Sequence, residues 1–463
     1  MGRVCLADAT LAFRIRFPAM NPEPASSAPS KTSSTLAGNY FVSNYPPFSF
    51  WSDHQKVEVE MALNSESVPG TKLGVYHHIP FCRKRCHFCY FRVYTDKNAK
   101  EIQTYLDATI AELKALSERP LIQGRKPHFV YFGGGTPSYL SAKQLAELTD
   151  RMKAILPWDE AEEVAFEGEP GTLNAAKLSA IKQVGVTRLS LGIENFDDHI
   201  LEINGRAHRS GEVFAAYERA RAEKFDQINV DLIAGMVEET EANWQRNIEQ
   251  TIALRPDSVT IYQMEVPYNT TIYKEMKEQG KLVAPVADWQ TKRRWVKEAF
   301  AALEGAGYTI ASGYTAVLDP KRTKFVYRDE LWSGADLLGL GVASFSHAAG
   351  VHYQNLTEME PYLAAIAAGE LPVKRAFRTS PEERMIREFI LQMKLGRVRL
   401  GYFREKFGVD IAARFVAQLG HLEAEGLLQV TPDAVLLSRD GLLCVDTLLH
   451  EFFLQQHRTT KIV

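Results

Sequence analysis

From about residue 73, short runs rich in β-branched and aromatic residues alternate with longer stretches whose apolar residues recur every third or fourth position. The runs fall at 73–79, 128–132, 163–166, 188–193, 228–233 and 258–266. Between the first two, Ile102, Tyr105, Leu106, Ile110, Leu113 and Leu116 share one face of a helix predicted over 99–118. Strands alternating with helices imply right-handed crossovers and a parallel sheet. At least six such units favour a full or partial (β/α) barrel over a short open sheet. Gly-rich or charged residues follow several runs directly: GGGTP at 133–137, EGEP at 167–170, ENF at 194–196 and AGM at 234–236. Barrels of this kind carry their chemistry at the C-terminal strand ends, so functional side chains are expected in these loops.

The pattern changes after about residue 375. Ser380, Pro381 and Glu383 read as an N-cap, a first-turn proline and a capping-box partner. Met385, Ile386, Phe389, Ile390 and Met393 then share a helical face, followed by a helical pattern at Phe415, Leu419 and Leu422 and β-like runs at 428–430 and 435–437. This order predicts a mainly helical, winged-helix-like domain over 376–463, after a barrel domain over 41–375. Residues 1–40 are expected to be untied, because 21–38 are dominated by Pro, Ser and Ala. Arg14 and Arg16 interrupt any signal-peptide core. A transit peptide and a start at Met20 both stay open for this segment.

Composition narrows the function. Lys and Arg number 54 against 57 Asp and Glu, a net charge of −3, so no basic excess supports phosphate-driven nucleic-acid binding. The C-terminal domain is accordingly read as a lid or partner-binding module. No uninterrupted apolar run reaches the ~18 residues of a membrane span. Three of the five cysteines, Cys82, Cys86 and Cys89, lie within eight positions. Such clustering in a large chain indicates a metal or redox site in a reducing compartment, here expected to be the cytoplasm. Cys5 and Cys444 are read as structural or surface residues.

The spacing is C-x3-C-x2-C, directly after the first predicted strand. Three thiolates on a short loop can hold three irons of a cubane and leave the fourth open to a chelating ligand. The alternative is a zinc site with His77, His78 or His87 as fourth ligand. Zinc sites usually pair cysteines across two knuckles, and the sequence offers no second one.

The C-x3-C-x-aromatic-C string resembles the radical S-adenosylmethionine (SAM) superfamily. Tyr76-His-His-Ile-Pro-Phe-Cys82 resembles, more narrowly, the oxygen-independent coproporphyrinogen III oxidase family, which also contains heme chaperones and radical methyltransferases. The resemblance implies a [4Fe–4S] cluster on Cys82, Cys86 and Cys89, and one or two SAM molecules. It also implies a 5′-deoxyadenosyl radical that decarboxylates a propionate of a tetrapyrrole or other small molecule, with flavodoxin or ferredoxin as electron donor. By the same resemblance Tyr76 would shape a SAM site and Phe88 would pack near adenine. Gly134, Gly135 and Thr136 would meet SAM, the glycines letting backbone N–H groups approach a carboxylate. Glu167 would accept from an ammonium or hydroxyl, Glu194 would stand where the family has a SAM-contacting Gln, and Arg206 and Asp231 would serve a second SAM pocket. The segment from Tyr327 to Ser344 and Tyr353-Gln354-Asn355 resemble a late part of the family's barrel.

Three departures qualify the substrate. Phe91 occupies a position where the oxidase carries a further cysteine, Glu194 replaces Gln, and Gly235-Met-Val-Glu-Glu-Thr240 differs from the family's G-L-P-G-Q-T. The missing cysteine at Phe91 and the changed pocket favour a radical C-methyltransferase as a rival reading; a heme chaperone, which no sequence feature excludes, is a second, and a zinc-stabilised interaction protein a more distant one. His208, His347 and His352 are read as hydrogen-bonded structural residues.

Overall fold

The computed structural model describes residues 34–458. The readings of residues 1–33, including Cys5, lie outside the described residues. Six parallel strands follow one another in sequence and in space: β1 (Leu73–Ile79), β2 (Phe129–Gly134), β3 (Glu163–Gly168), β4 (Arg188–Glu194), β5 (Gln227–Ala234) and β6 (Ser258–Gln263). Two short antiparallel strands, β7 (Thr309–Ile310) and β8 (Thr315–Val317), finish the β6 side. The chain then crosses to the other side, where β9 (Asp336–Leu340) pairs in parallel with β1. Antiparallel β10 (Phe345–Ala348), β11 (Val351–Asn355) and β12 (Val373–Arg378) complete a twelve-stranded sheet. Its two edges do not pair with each other, so the barrel is partial.

Period-two alternation sets what each face of the sheet does. One phase is apolar and joins the main core: Val130 and Phe132, Val164 and Phe166, Leu189 and Leu191, Val230 and Leu232, Val259 and Ile261. The other phase is largely polar and lines an internal cavity: Tyr131, Glu167, Ser190, Asn229, Asp231 and Thr260. The helices that cover the apolar phase are locally encoded. Ala99–Ser117 starts at Asn98, which forms a capping box with Glu101, and buries the six apolar residues that the sequence periodicity selects.

In the C-terminal part, Ser380 and Glu383 form the expected capping box on the helix Pro381–Met393. Strand β13 (Arg397–Arg399), three short helices, and the hairpin β14 (Leu428–Val430) and β15 (Ala434–Leu437) follow. Phe389 centres this unit's core, with ring centroids 5.8 Å from Phe403, 5.4 Å from Phe415 and 5.0 Å from Phe452. Val42, Tyr45 and Trp332 share the same core.

Residues 34–40, read from the sequence as part of the untied segment, are packed. Thr35 is buried, donates to the Ala287 carbonyl at 2.8 Å and accepts from Lys292 Nζ at 2.8 Å. Gly38 N–H donates to the Val266 carbonyl at 2.9 Å. Distant partners satisfy a backbone that its own composition cannot order. Among the described residues no helix is long and apolar enough to cross a membrane.

Candidate functional site

The loop after β1 carries the three cysteines and is clamped on all sides. Its two ends are tied by Cys82 N–H to the Tyr94 carbonyl at 3.1 Å and Tyr94 N–H to the Pro80 carbonyl at 2.7 Å. Arg83 makes a bidentate pair with Glu169, at 3.0 and 2.9 Å. His87 N–H donates to the Asn204 carbonyl at 3.0 Å, and Arg85 donates to the Cys89 carbonyl at 3.0 Å. Each thiol has its own donor. Thr136 Oγ1 reaches Cys82 Sγ and Arg206 Nη1 reaches Cys86 Sγ, both at 3.3 Å, and the Phe91 backbone N–H serves Cys89. Burial pushes the Cys82 thiol up to about 11 and the Cys89 thiol up to about 12. These protons must leave when a metal binds.

All three cysteines line one cavity of about 1060 Å³ at the C-terminal ends of the parallel strands. Opposite them the inward strand residues form a connected polar ladder. Ser190 Oγ donates to Asp231 at 2.7 Å, Asn229 Nδ2 donates to Asp231 at 2.9 Å, and Thr260 Oγ1 donates to Asn229 at 3.0 Å. Glu167 accepts from Tyr131 at 2.7 Å and from Gly134 N–H at 3.0 Å. Glu194 lies 3.7 Å from Arg206. Burial pushes Glu167 and Glu194 up to about 7 and raises Asp231 as well. The Asp231 carboxylate adds to the rise at both glutamates, while Arg206 opposes it at Glu194.

Of the residues expected from sequence, Cys82, Cys86, Cys89, Phe88, Gly134, Gly135, Thr136, Glu167, Glu194, Arg206 and Asp231 all line this cavity. Tyr76 does not. Its hydroxyl pairs with His78 Nδ1 at 3.1 Å and its ring stacks on Tyr131, one layer behind the wall. The role expected of the glycine N–H groups also changes. Gly134 N–H goes to Glu167, Gly135 N–H to the Ile79 carbonyl and Thr136 N–H to the Phe81 carbonyl. Glycine is needed here because a Cβ at Gly135 would meet the Ile79 carbonyl oxygen at 2.7 Å. The Gly135 and Thr136 N–H groups fasten the start of the cysteine loop, and that of Gly134 orients the Glu167 carboxylate.

His77, His78 and His87, the candidates for a fourth zinc ligand, are not on the cavity wall. His78 is held by Tyr76 and the Arg92 carbonyl, and His77 packs beside Phe132. His208 bridges Glu169 and the Ile193 carbonyl, both at 3.1 Å, and His347 and His352 pair at 3.0 Å. Sequence reasoning missed Glu169 as the anchor of Arg83. It also missed the inward ladder, which the strand alternation could have disclosed. Cys444, read as structural or surface, lines the cavity, as do Arg293, Asp446 and the N-terminal residues Tyr40 and Phe41. No local pattern marks these.

The sequence profile of the radical SAM superfamily matches residues 76–250, and that of the HemN C-terminal domain matches 379–444. With the parallel sheet and the cysteine loop at its C-terminal edge, the chain is a member of the radical SAM superfamily. The heme chaperone HemW of Bacillus subtilis (strain 168) is 30% identical over 378 residues, covering 80% of this chain and 96% of that protein. The oxygen-independent coproporphyrinogen III oxidase of Synechocystis sp. is 27% identical over 446 residues, covering 89% of this chain and 93% of that protein. The solved structure of coproporphyrinogen III oxidase (HemN) from Escherichia coli shares the fold, with a TM-score of 0.76, 21% identity, and coverage of 90% of this chain and 99% of that one. Within the superfamily, the chain belongs to the family of HemW and oxygen-independent coproporphyrinogen III oxidase.

Membership implies a [4Fe–4S] cluster and SAM. The chain's residues fit that pair: three free thiols on one pinned loop, each with a donor to its sulfur, face a cavity whose far wall carries carboxylates suited to a cation.

Proposed function

We propose that this protein is a radical SAM oxidoreductase acting on a tetrapyrrole that bears propionate side chains. The convergence of Cys82, Cys86 and Cys89 with Glu167, Glu194, Asp231 and Arg206 on one cavity supports this reading most directly. The cysteines would hold three irons of the cluster. A bound cluster and SAM would supply a one-electron cleavage that lets a hydrogen atom be taken from an unactivated carbon. The chain's own part is positioning. Phe88 and Thr136 would border the cluster, the three carboxylates would meet the cationic groups of one or two SAM molecules, and Arg206 braces Cys86 and Glu194 between them. Residues 34–41 and 442–447 contribute to the wall and restrict water. A reduced flavodoxin or ferredoxin would deliver the electron in the cytoplasm.

The test is anaerobic turnover of the reconstituted protein with reductant, SAM and coproporphyrinogen III, followed by mass spectrometry. The wild type is expected to give deoxyadenosine and vinyl-bearing product. Cys86→Ala is expected to lose the cluster iron and both products. Deoxyadenosine with unchanged tetrapyrrole would retain the radical chemistry and reject this substrate.

The extent of similarity to HemW favours a second reading as a heme-binding chaperone. Stable hemin binding and transfer to an apo-acceptor, with no chemical product, would decide for it.

A further inference from the structure

The cavity extends beyond the cluster end into a chamber bordered by Tyr40, Phe41, Tyr262, Trp289, Tyr314 and Cys444. The acids in this chamber already have partners. Asp446 accepts from Val42 N–H at 2.8 Å, pairs with Lys394 Nζ at 2.7 Å and receives the Tyr314 hydroxyl. Glu265 accepts from Tyr40 N–H at 3.2 Å. Most of the cavity's guanidinium groups are committed too. Arg83 is held by Glu169, Arg85 by two backbone carbonyls, Arg188 by Gln227 and Ser258, and Arg206 by Cys86 Sγ and the Gly192 carbonyl.

Arg293 differs. It projects from the helix Trp289–Gly305 onto the cavity wall, its Nε is shielded from solvent without an acceptor, and among the described residues no carboxylate is within ion-pair distance. The side chain is half-buried, its guanidinium carbon lies 5.8 Å from the Trp289 ring centroid, and its planar fork matches a carboxylate in two-point geometry. We infer that Arg293 is the anchor for a carboxylate of the bound tetrapyrrole, and so a specificity-determining residue of the substrate chamber. The inference rests on the tetrapyrrole reading above. The same carboxylate chemistry is carried by the propionates of a porphyrinogen and of heme.

The experiment measures equilibrium binding, by fluorescence and absorbance, of coproporphyrin III, its tetramethyl ester and hemin to the reconstituted protein. Arg293→Gln and Arg293→Lys are compared with the wild type, with iron content and melting temperature as controls on folding. Wild-type protein is expected to prefer the free acid over the ester. Arg293→Gln should weaken free-acid binding by about tenfold or more, as expected for loss of a charge-assisted pair, and leave ester binding unchanged. Arg293→Lys should recover part of the loss. If the loss falls on hemin and not on coproporphyrin III, the carboxylate is that of heme and the anchor stands. Equal free-acid binding by wild type and Arg293→Gln overturns the anchor while leaving the tetrapyrrole reading intact. Wild-type protein that binds none of the three overturns both. Should Arg293→Gln fail the folding controls, Arg293→Met takes its place, and free-acid affinity equal to wild type in that variant overturns the anchor.

Discussion

Glu194 is the residue at which local geometry and chemistry are most tightly joined. Its φ of 67° lies in the left-handed region, at a register shift where β4 ends against β5. A side chain held there costs about 1–3 kcal/mol, which the surrounding sheet must outweigh. The conformation places the carboxylate beside Arg206 and in the field of Asp231 and Glu167. Because burial lifts Glu194 and Glu167 to about 7, both are neutral at acidic pH and charged at alkaline pH. A cationic ligand binds the charged form, so SAM affinity is expected to rise as pH increases through about 7. Equilibrium dialysis between pH 6 and 8.5 measures this. Glu194→Gln should make the profile shallower, leaving the part owed to Glu167, and weaken binding at pH 8 by about tenfold. A pH-independent wild-type affinity would show that neither carboxylate titrates against the ligand. The difference from the family's Gln was legible in the sequence at this position. The strained backbone was not, since β4 reads as an ordinary strand up to Ile193.

At the scale of elements, the turn after β3 determines how firmly the cysteine loop is held. Glu169 caps that turn through Gly171 N–H at 3.1 Å while gripping Arg83. Gly171 leaves the space that the Arg83 guanidinium occupies: a Cβ there would overlap it and come within 2.7 Å of Glu212 Oε1, so Arg83 would have to move. Gly171→Ala is therefore expected to displace Arg83, loosen the Cys82–Cys86 segment and lower the iron retained after reconstitution, with the far-ultraviolet circular dichroism unchanged. Full iron content in that variant would show that the other loop ties suffice. Helices elsewhere were readable because capping and periodicity are local properties: Asn98 with Glu101, and Ser380 with Glu383, sit three residues apart. The Arg83–Glu169 grip spans 86 residues and has no such signature.

Across the whole molecule, two buried lysines fasten the N-terminal segment to the barrel and to the C-terminal unit. Lys292 holds Thr35 and the Met264 carbonyl, at 2.8 and 2.7 Å. Lys394, fully buried and with its pKa lowered by that burial, holds the Val42 carbonyl and Asp446, both at 2.7 Å. Replacing Lys394 by Met keeps the stem's volume but leaves the Asp446 carboxylate without its cation. Breaking a buried pair from one side costs about 3–5 kcal/mol. Lys394→Met should therefore lower the melting temperature and expose the segment around Val42 to limited proteolysis. An unchanged melting temperature would mean that the segment is held by its other contacts.

The alternating architecture, the cysteine loop and the family were legible in the chain, because each rests on spacings within a few turns or one strand. Tertiary structure alone decided that the sheet stays open, that the glycine N–H groups serve the fold, and that Tyr76 stands behind the wall. It also decided which groups complete the chamber: Val42 meets Asp446 across 404 positions. Whether a charged side chain there is paired or left open, as Arg293 is, depends on what packs against it from remote parts of the chain, and a one-dimensional pattern carries no record of that.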